Sequence, residues 1–256
     1  MDTSSSSAQQ PFVFSTVNSQ PPVPAQPITN PQSLPPSAPG SLPTNDRDKC
    51  GMTNTTKTRV VGGVNAQLGS YPWLAALGYR TTTIRYLCAG TLITQKHVLT
   101  AAHCIKDNLV LARLGEYDIS SDNDGASPVD YNVESRIIHE SFDAKTISND
   151  IGLLKLTQIV TITDFIRPIC MPLADAIRYK DLTYYQPFVA GWGSTSFKGP
   201  AATILQEVQL PILPLSECEF NYRLYFPNQV FDNRVLCAGY SQGKFENTFS
   251  FKISIC

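Results

Sequence analysis

From Val60 onward the chain is a succession of short apolar runs cut by Gly, Pro, Asn and Asp, and this rhythm limits the architectures open to it. Leu74–Tyr79, Tyr86–Ile93, His97–Ala101, Leu109–Leu114, Val133–Ile138, Ile151–Leu156, Pro187–Ala190 and Leu205–Leu210 each have the length and punctuation of a strand. Helical periodicity is confined to one turn at Ala101–Ile105 and a short helix at Pro214–Arg223. Many short strands with turn signals between them make an all-β sandwich or barrel, and the pattern alone does not choose between the two.

Before that point the chain has a different character. Residues 1–49 hold ten of the nineteen prolines and nine serines, and Asp2 is the one charge before Asp46. Such a stretch buries too little apolar surface to offset its ordering entropy, so residues 1–49 read as a disordered Pro/Ser-rich linker. Seven cysteines without a CxxC pair argue for disulfides in an oxidising compartment and against a structural zinc site. Residues Met1–Ser4 show neither the basic start nor the apolar stretch of a secretory signal. The cysteines therefore imply a secreted, extracellular protein whose export signal is not visible here, with a start further upstream or an alternative one. A net charge of -1 gives no reason to expect nucleic acid or an anionic membrane as a partner. No run is long enough to span a bilayer as a helix. Asn54-Thr55-Thr56 is a glycosylation sequon at Asn54.

Four signatures in order carry chemistry. Arg59-Val60-Val61-Gly62-Gly63 places a small apolar residue after a basic one; taken alone, it could be a glycine turn after an exposed arginine. Leu99-Thr100-Ala101-Ala102-His103-Cys104 sets a histidine beside a cysteine and behind small alanines. A histidine titrating near neutrality can accept a proton from a hydroxyl and return it to a leaving amine. His97 and His139 read as structural histidines near strand ends. Asn149-Asp150-Ile151-Gly152-Leu153-Leu154 runs a carboxylate directly into a buried strand. Phe188-Val189-Ala190-Gly191-Trp192-Gly193 and Leu236-Cys237-Ala238-Gly239-Tyr240 follow.

Together, from Val60 to about Gly243, these segments resemble the chymotrypsin/trypsin-like serine proteases. Tyr71-Pro72-Trp73 and the proline-rich stretch before Cys50 look most like arthropod secreted (clip-type or venom) protease zymogens. The resemblance implies a chymotrypsin-like double β-barrel, with a first barrel from about Val60 to Cys170 and a second from Met171. It implies an endopeptidase zymogen in which residues 50–59 end an activation peptide cut between Arg59 and Val60 by an activating trypsin-like protease. His103 is then the general base and Asp150 its orienter. Disulfides Cys88–Cys104, Cys218–Cys237 and Cys50–Cys170 are implied as well, leaving Cys256 as a free or intermolecular thiol. No cofactor is required. Glu116 and Asp118, with Asp122, Asp124 and Asp130, stand where some relatives hold calcium, although a solvated acidic loop explains them too.

The resemblance stops after Gly243. Gly-Asp-Ser-Gly-Gly is expected next, and these 256 residues contain no Gly-Asp-Ser-Gly at all. Ser250 lies at about the right distance from Cys237, but it sits between Phe249 and Phe251 with no glycine to open an oxyanion-binding turn. The expectation is a protease domain over 60–243, truncated, with an aberrant tail over 244–256 and an incomplete second barrel. A retained intron, a frameshift or an alternative final exon would each produce such a change. As written the chain should be catalytically inactive, lacking both nucleophile and oxyanion hole. The alternative is a non-catalytic protease homologue that binds a protease, an inhibitor or an immune partner.

Overall fold

The computed structural model of the chain describes residues 50–56, 63–194, 200–223, 227–239 and 251–253. The linker over 1–49, and with it Arg59 and Val60, lies outside the described residues. Among the described residues no helix is long and apolar enough to cross a membrane.

Six strands close the first barrel: β2 (Leu74–Arg80), β3 (Ile84–Thr94), β4 (His97–Thr100), β5 (Leu109–Leu114), β6 (Val129–Ile138) and β7 (Gly152–Leu156). Their order around the barrel is β2-β3-β4-β7-β6-β5, with every pairing antiparallel. Closure removes the unpaired edges that would otherwise recruit another chain.

Strand β2 shows how the sequence makes two cores from one strand. Successive side chains point to opposite faces. Ala75, Leu77 and Tyr79 enter the barrel interior with Leu92, Val98, Leu109, Leu114, Leu154 and Leu156. Leu74 and Ala76 point the other way, packing with Ala66, Trp192 and Leu205. This second cluster joins the barrel to the later half of the chain. Six of the seven β2 residues are therefore buried, which explains an apolar run without polar alternation.

In the later half, β1 (Val64–Asn65) pairs with β9 (Gln206–Gln209), which pairs with β8 (Phe188–Gly191). A second sheet is formed by β10 (Ile212–Leu213), β11 (Leu236–Ala238) and β12 (Phe251–Ile253). Among the described residues these six strands make two three-stranded sheets and no second closed barrel. Helix α2 (Leu215–Tyr222) falls where its pattern places it, and Cys218–Cys237 ties it to β11. Tyr222 meets the Phe231 ring at a centroid distance of 5.7 Å beside that disulfide.

Three differences from the sequence expectation have simple causes. β6 starts at Val129 rather than Val133, because Arg113 on β5 grips Asp130 with Nε and Nη2 at 2.6 and 2.9 Å. The two-residue strands β1 and β10 and the single-turn helix α1 (Asp175–Arg178) are too short to leave a periodic signal. Residues 251–253 of the expected aberrant tail pair with β11, Leu236 opposite Ile253.

Candidate active site

Strand β4 ends at Thr100, and Ala102–Cys104 form a single 3-10 turn that carries His103. Ala101 and Ala102 are buried, and larger side chains there would push the turn off the barrel. Two clamps hold the turn. Cys104 is bonded to Cys88 on β3. The Cys104 carbonyl accepts a 2.6 Å hydrogen bond from the Tyr79 hydroxyl, which β2 sends through the barrel core. Burial drives the Tyr79 phenol well above its ordinary range, so it stays a donor. Tyr79→Phe keeps the ring but leaves that carbonyl unpaired. The expected loss is about 1–3 kcal/mol, measured by urea unfolding; an unchanged midpoint would mean that the bond contributes nothing.

Asp150 lies just before β7, the strand paired with β4. Its approach is unusual: Asn149 has φ 55°, in the left-handed region that asparagine tolerates better than most residues. The turn aims the Asp150 side chain inward, where it is fully shielded from solvent. One carboxylate oxygen accepts the His103 backbone N–H at 2.9 Å. The other accepts the ring Nδ1–H at 2.7 Å. Both oxygens are thus used on the same residue, fixing the ring's position and leaving Nε2 as the nitrogen with a lone pair. His103 keeps 22% side-chain exposure, so the imidazole can reach solvent while its partner cannot.

Glycine 152 lets the two pieces meet. A Cβ there would collide with Ile105, two residues after His103, and would come within 3.0 Å of the Ile137 carbonyl. Ile105 instead nests against β7 beside the barrel core.

The remaining histidines are engaged elsewhere. His97 Nδ1 lies 2.8 Å from the Thr94 hydroxyl, and His139 Nδ1 accepts the Ser141 N–H at 3.1 Å. Cys88, His103 and Cys104 crowd together in the manner of metal ligands, but the two sulfurs are consumed by their own bond at 2.05 Å.

The other implied residues fall as follows. Cys50–Cys170 is formed across 120 residues. Beside it Gly51 N–H donates to the Pro168 carbonyl at 2.9 Å, and Thr53 Oγ1 donates to the Gly69 carbonyl at 3.0 Å. The Thr55 and Ser70 hydroxyls lie 3.1 Å apart, and Asn54 is exposed. Residues 50–56 are therefore docked on the first barrel, whereas the Arg59–Val60 bond lies outside the described residues. Glu116, Asp118 and Asp130 of the calcium expectation all have partners within the protein. Glu116 already accepts from the Tyr117 N–H at 2.8 Å and faces the Arg113 guanidinium at 3.4 Å. Asp118 accepts from the Ser120 N–H and hydroxyl at 3.0 and 2.7 Å, and Asp130 is taken by Arg113. Arg113 thus balances the charge of Glu116 and Asp130. Sequence reading missed Tyr79 and Arg234, which donates to the Asn149 side-chain oxygen at 2.7 Å from 85 positions away. No local motif could have flagged either.

The Trypsin family model matches residues 60–248. "Venom serine protease Bi-VSP" of Bombus ignitus is 44% identical over 200 residues, covering 76% of this chain and 55% of that protein. "Proclotting enzyme" of Tachypleus tridentatus is 40% identical, covering 80% of this chain and 56% of that protein. The chain thus spans little more than half the length of these relatives. The crystal structure of the Drosophila Grass clip serine protease superposes with a TM-score of 0.64 at 28% identity, covering 82% of this chain and 66% of that one. With its chymotrypsin-like fold and arthropod venom and clip-type relatives, the chain belongs to the trypsin family of serine proteases.

Proposed function

We propose that this polypeptide is the zymogen form of a secreted trypsin-like endopeptidase, with His103 as general base and Asp150 as its orienter. The observation that carries this reading is the pair of hydrogen bonds from His103 N–H and Nδ1–H to the two oxygens of the buried Asp150. With Nδ1 committed to Asp150, Nε2, 3.5 Å from the Cys104 Sγ, carries the lone pair that would accept the proton of a serine hydroxyl as it attacks a peptide carbonyl. The imidazolium formed is stabilised by the adjacent carboxylate and then protonates the leaving amine. An activating trypsin-like protease would cut between Arg59 and Val60. Three disulfides and the exposed sequon at Asn54 suit an extracellular glycoprotein. Protein substrates and protease inhibitors are the partners that such a site would meet.

The nucleophile sets the limit on activity. These 256 residues contain no Gly-Asp-Ser-Gly, so a polypeptide of this sequence holds a base with no serine to activate. Cleaved after Arg59 and assayed on fluorogenic arginyl, leucyl and phenylalanyl peptides, it is expected to give no turnover above buffer. Turnover that disappears in His103→Ala would contradict this and assign an active protease.

A further inference from the structure

We propose that Arg234 is a positioning residue that holds Asp150 in place from the opposite half of the molecule, acting through Asn149. The inference rests on the base–orienter reading of His103 and Asp150.

The argument begins with the backbone. Asn149 sits at φ 55° and Ile147 at φ 49°, so the segment leading to Asp150 takes the left-handed conformation at two non-glycine residues. Such conformations cost of order 1–3 kcal/mol each and persist only where surrounding contacts impose them. The contacts are visible at Asn149. Its side-chain Nδ2 donates to the Ser141 carbonyl at 2.8 Å, and its Oδ1 accepts from Arg234 Nη1 at 2.7 Å. One amide is therefore gripped at both ends, by the first barrel on one side and by the later half of the chain on the other. The next residue is Asp150, both of whose oxygens are committed to His103.

Arg234 is itself held in a fixed orientation. Its Nε lies 2.9 Å from both oxygens of Asp232, and its backbone N–H donates to the same carboxylate at 3.0 Å. Two residues later β11 begins, anchored through Cys237 to Cys218. A guanidinium clamped by its own turn spends little further side-chain entropy on reaching Asn149. The later half of the chain can thus report its folded state to the carboxylate beside His103. The first barrel supplies both members of the pair, but not all of the contacts that fix their geometry.

The test uses the full 256-residue chain labelled with 15N at histidine. The parent is expected to show a low-field Nδ1 proton for His103, protected from exchange by the bond to Asp150. Arg234→Ala should speed exchange of that proton with water by about tenfold, with the His97 and His139 signals unmoved. Arg234→Lys, which can still offer one N–H to Asn149, should recover most of the protection. Asn149→Gly tests the same link from the other end, because glycine adopts the positive φ freely while losing the amide. It should speed exchange at least as much as Arg234→Ala, because the bond to Ser141 is lost as well, and the double variant should go no further than Asn149→Gly alone. A His103 signal unchanged in Arg234→Ala overturns the proposal. Should that variant fail to fold, an unchanged signal in Asn149→Gly overturns it equally. A parent without the low-field proton would instead defeat the base–orienter reading itself, and the proposal with it.

Discussion

Replacing Leu154 with alanine is expected to destabilise the chain by about 3–5 kcal/mol, the upper part of the range for a fully buried leucine. Leu154 is 0% exposed and lies at the centre of β7, opposite Val98 on β4 and Arg136 on β6. Its side chain shares the barrel interior with Leu77, Leu92, Leu114 and Leu156. Closed barrels leave little room for collapse around a void, because every neighbouring strand is hydrogen-bonded on both sides. The same strand begins two residues after Asp150, so a loosened β7 also loosens the carboxylate. Equilibrium urea unfolding of the variant checks the magnitude. A loss below about 1 kcal/mol would mean that the barrel interior repacks freely and is not the close-packed core described here.

The second large effect concerns Cys50–Cys170. After cutting between Arg59 and Val60, the 1–59 segment is expected to remain attached under non-reducing conditions and to leave on reduction. The hydrogen bonds of Gly51, Thr53 and Thr55 to the barrel contribute about 1 kcal/mol net each. Ordering the docked residues Cys50–Thr56 costs about 1–2 kcal/mol per residue in backbone entropy, which those bonds do not offset. The covalent bond therefore decides retention. In the uncut chain the same bridge closes 120 residues, for which chain entropy gives a stabilisation of about 4–5 kcal/mol. The double variant Cys50→Ser/Cys170→Ser should lose about that much on urea unfolding and should release the segment on cutting without reductant. Retention of 1–59 in the reduced, cut protein would show that the docking contacts suffice and that the tether is redundant.

The legible part of the molecule was its first barrel. Strands such as Leu109–Leu114 and Gly152–Leu156 are short apolar runs bounded by turn residues, and that length and punctuation are written in the chain itself. His103 and Asp150 were legible for a different reason: each lies within a local string whose resemblance to a family is specific. What could not be read arises from contacts between distant residues. Tyr79 looks like any strand tyrosine until its hydroxyl is seen 2.6 Å from the Cys104 carbonyl. Arg234 carries no motif, and its bond to Asn149 exists only once two halves of the chain meet. The acidic residues near Glu116 suggested a cation only through the family resemblance, and the cation seen beside Glu116 and Asp130 is the Arg113 guanidinium. Burial by β2 on both faces is likewise a property of two cores that composition does not reveal.

The central claim is a trypsin-family domain whose base and orienter are assembled while these 256 residues provide no nucleophilic serine. Covalent labelling tests it most directly. The chain, cut after Arg59, would be treated with a fluorophosphonate that reacts only with activated serines and then weighed intact. An unchanged mass is the predicted result. An adduct mapped to Ser250 or Ser254, lost in His103→Ala, would contradict the account and place a working nucleophile opposite His103.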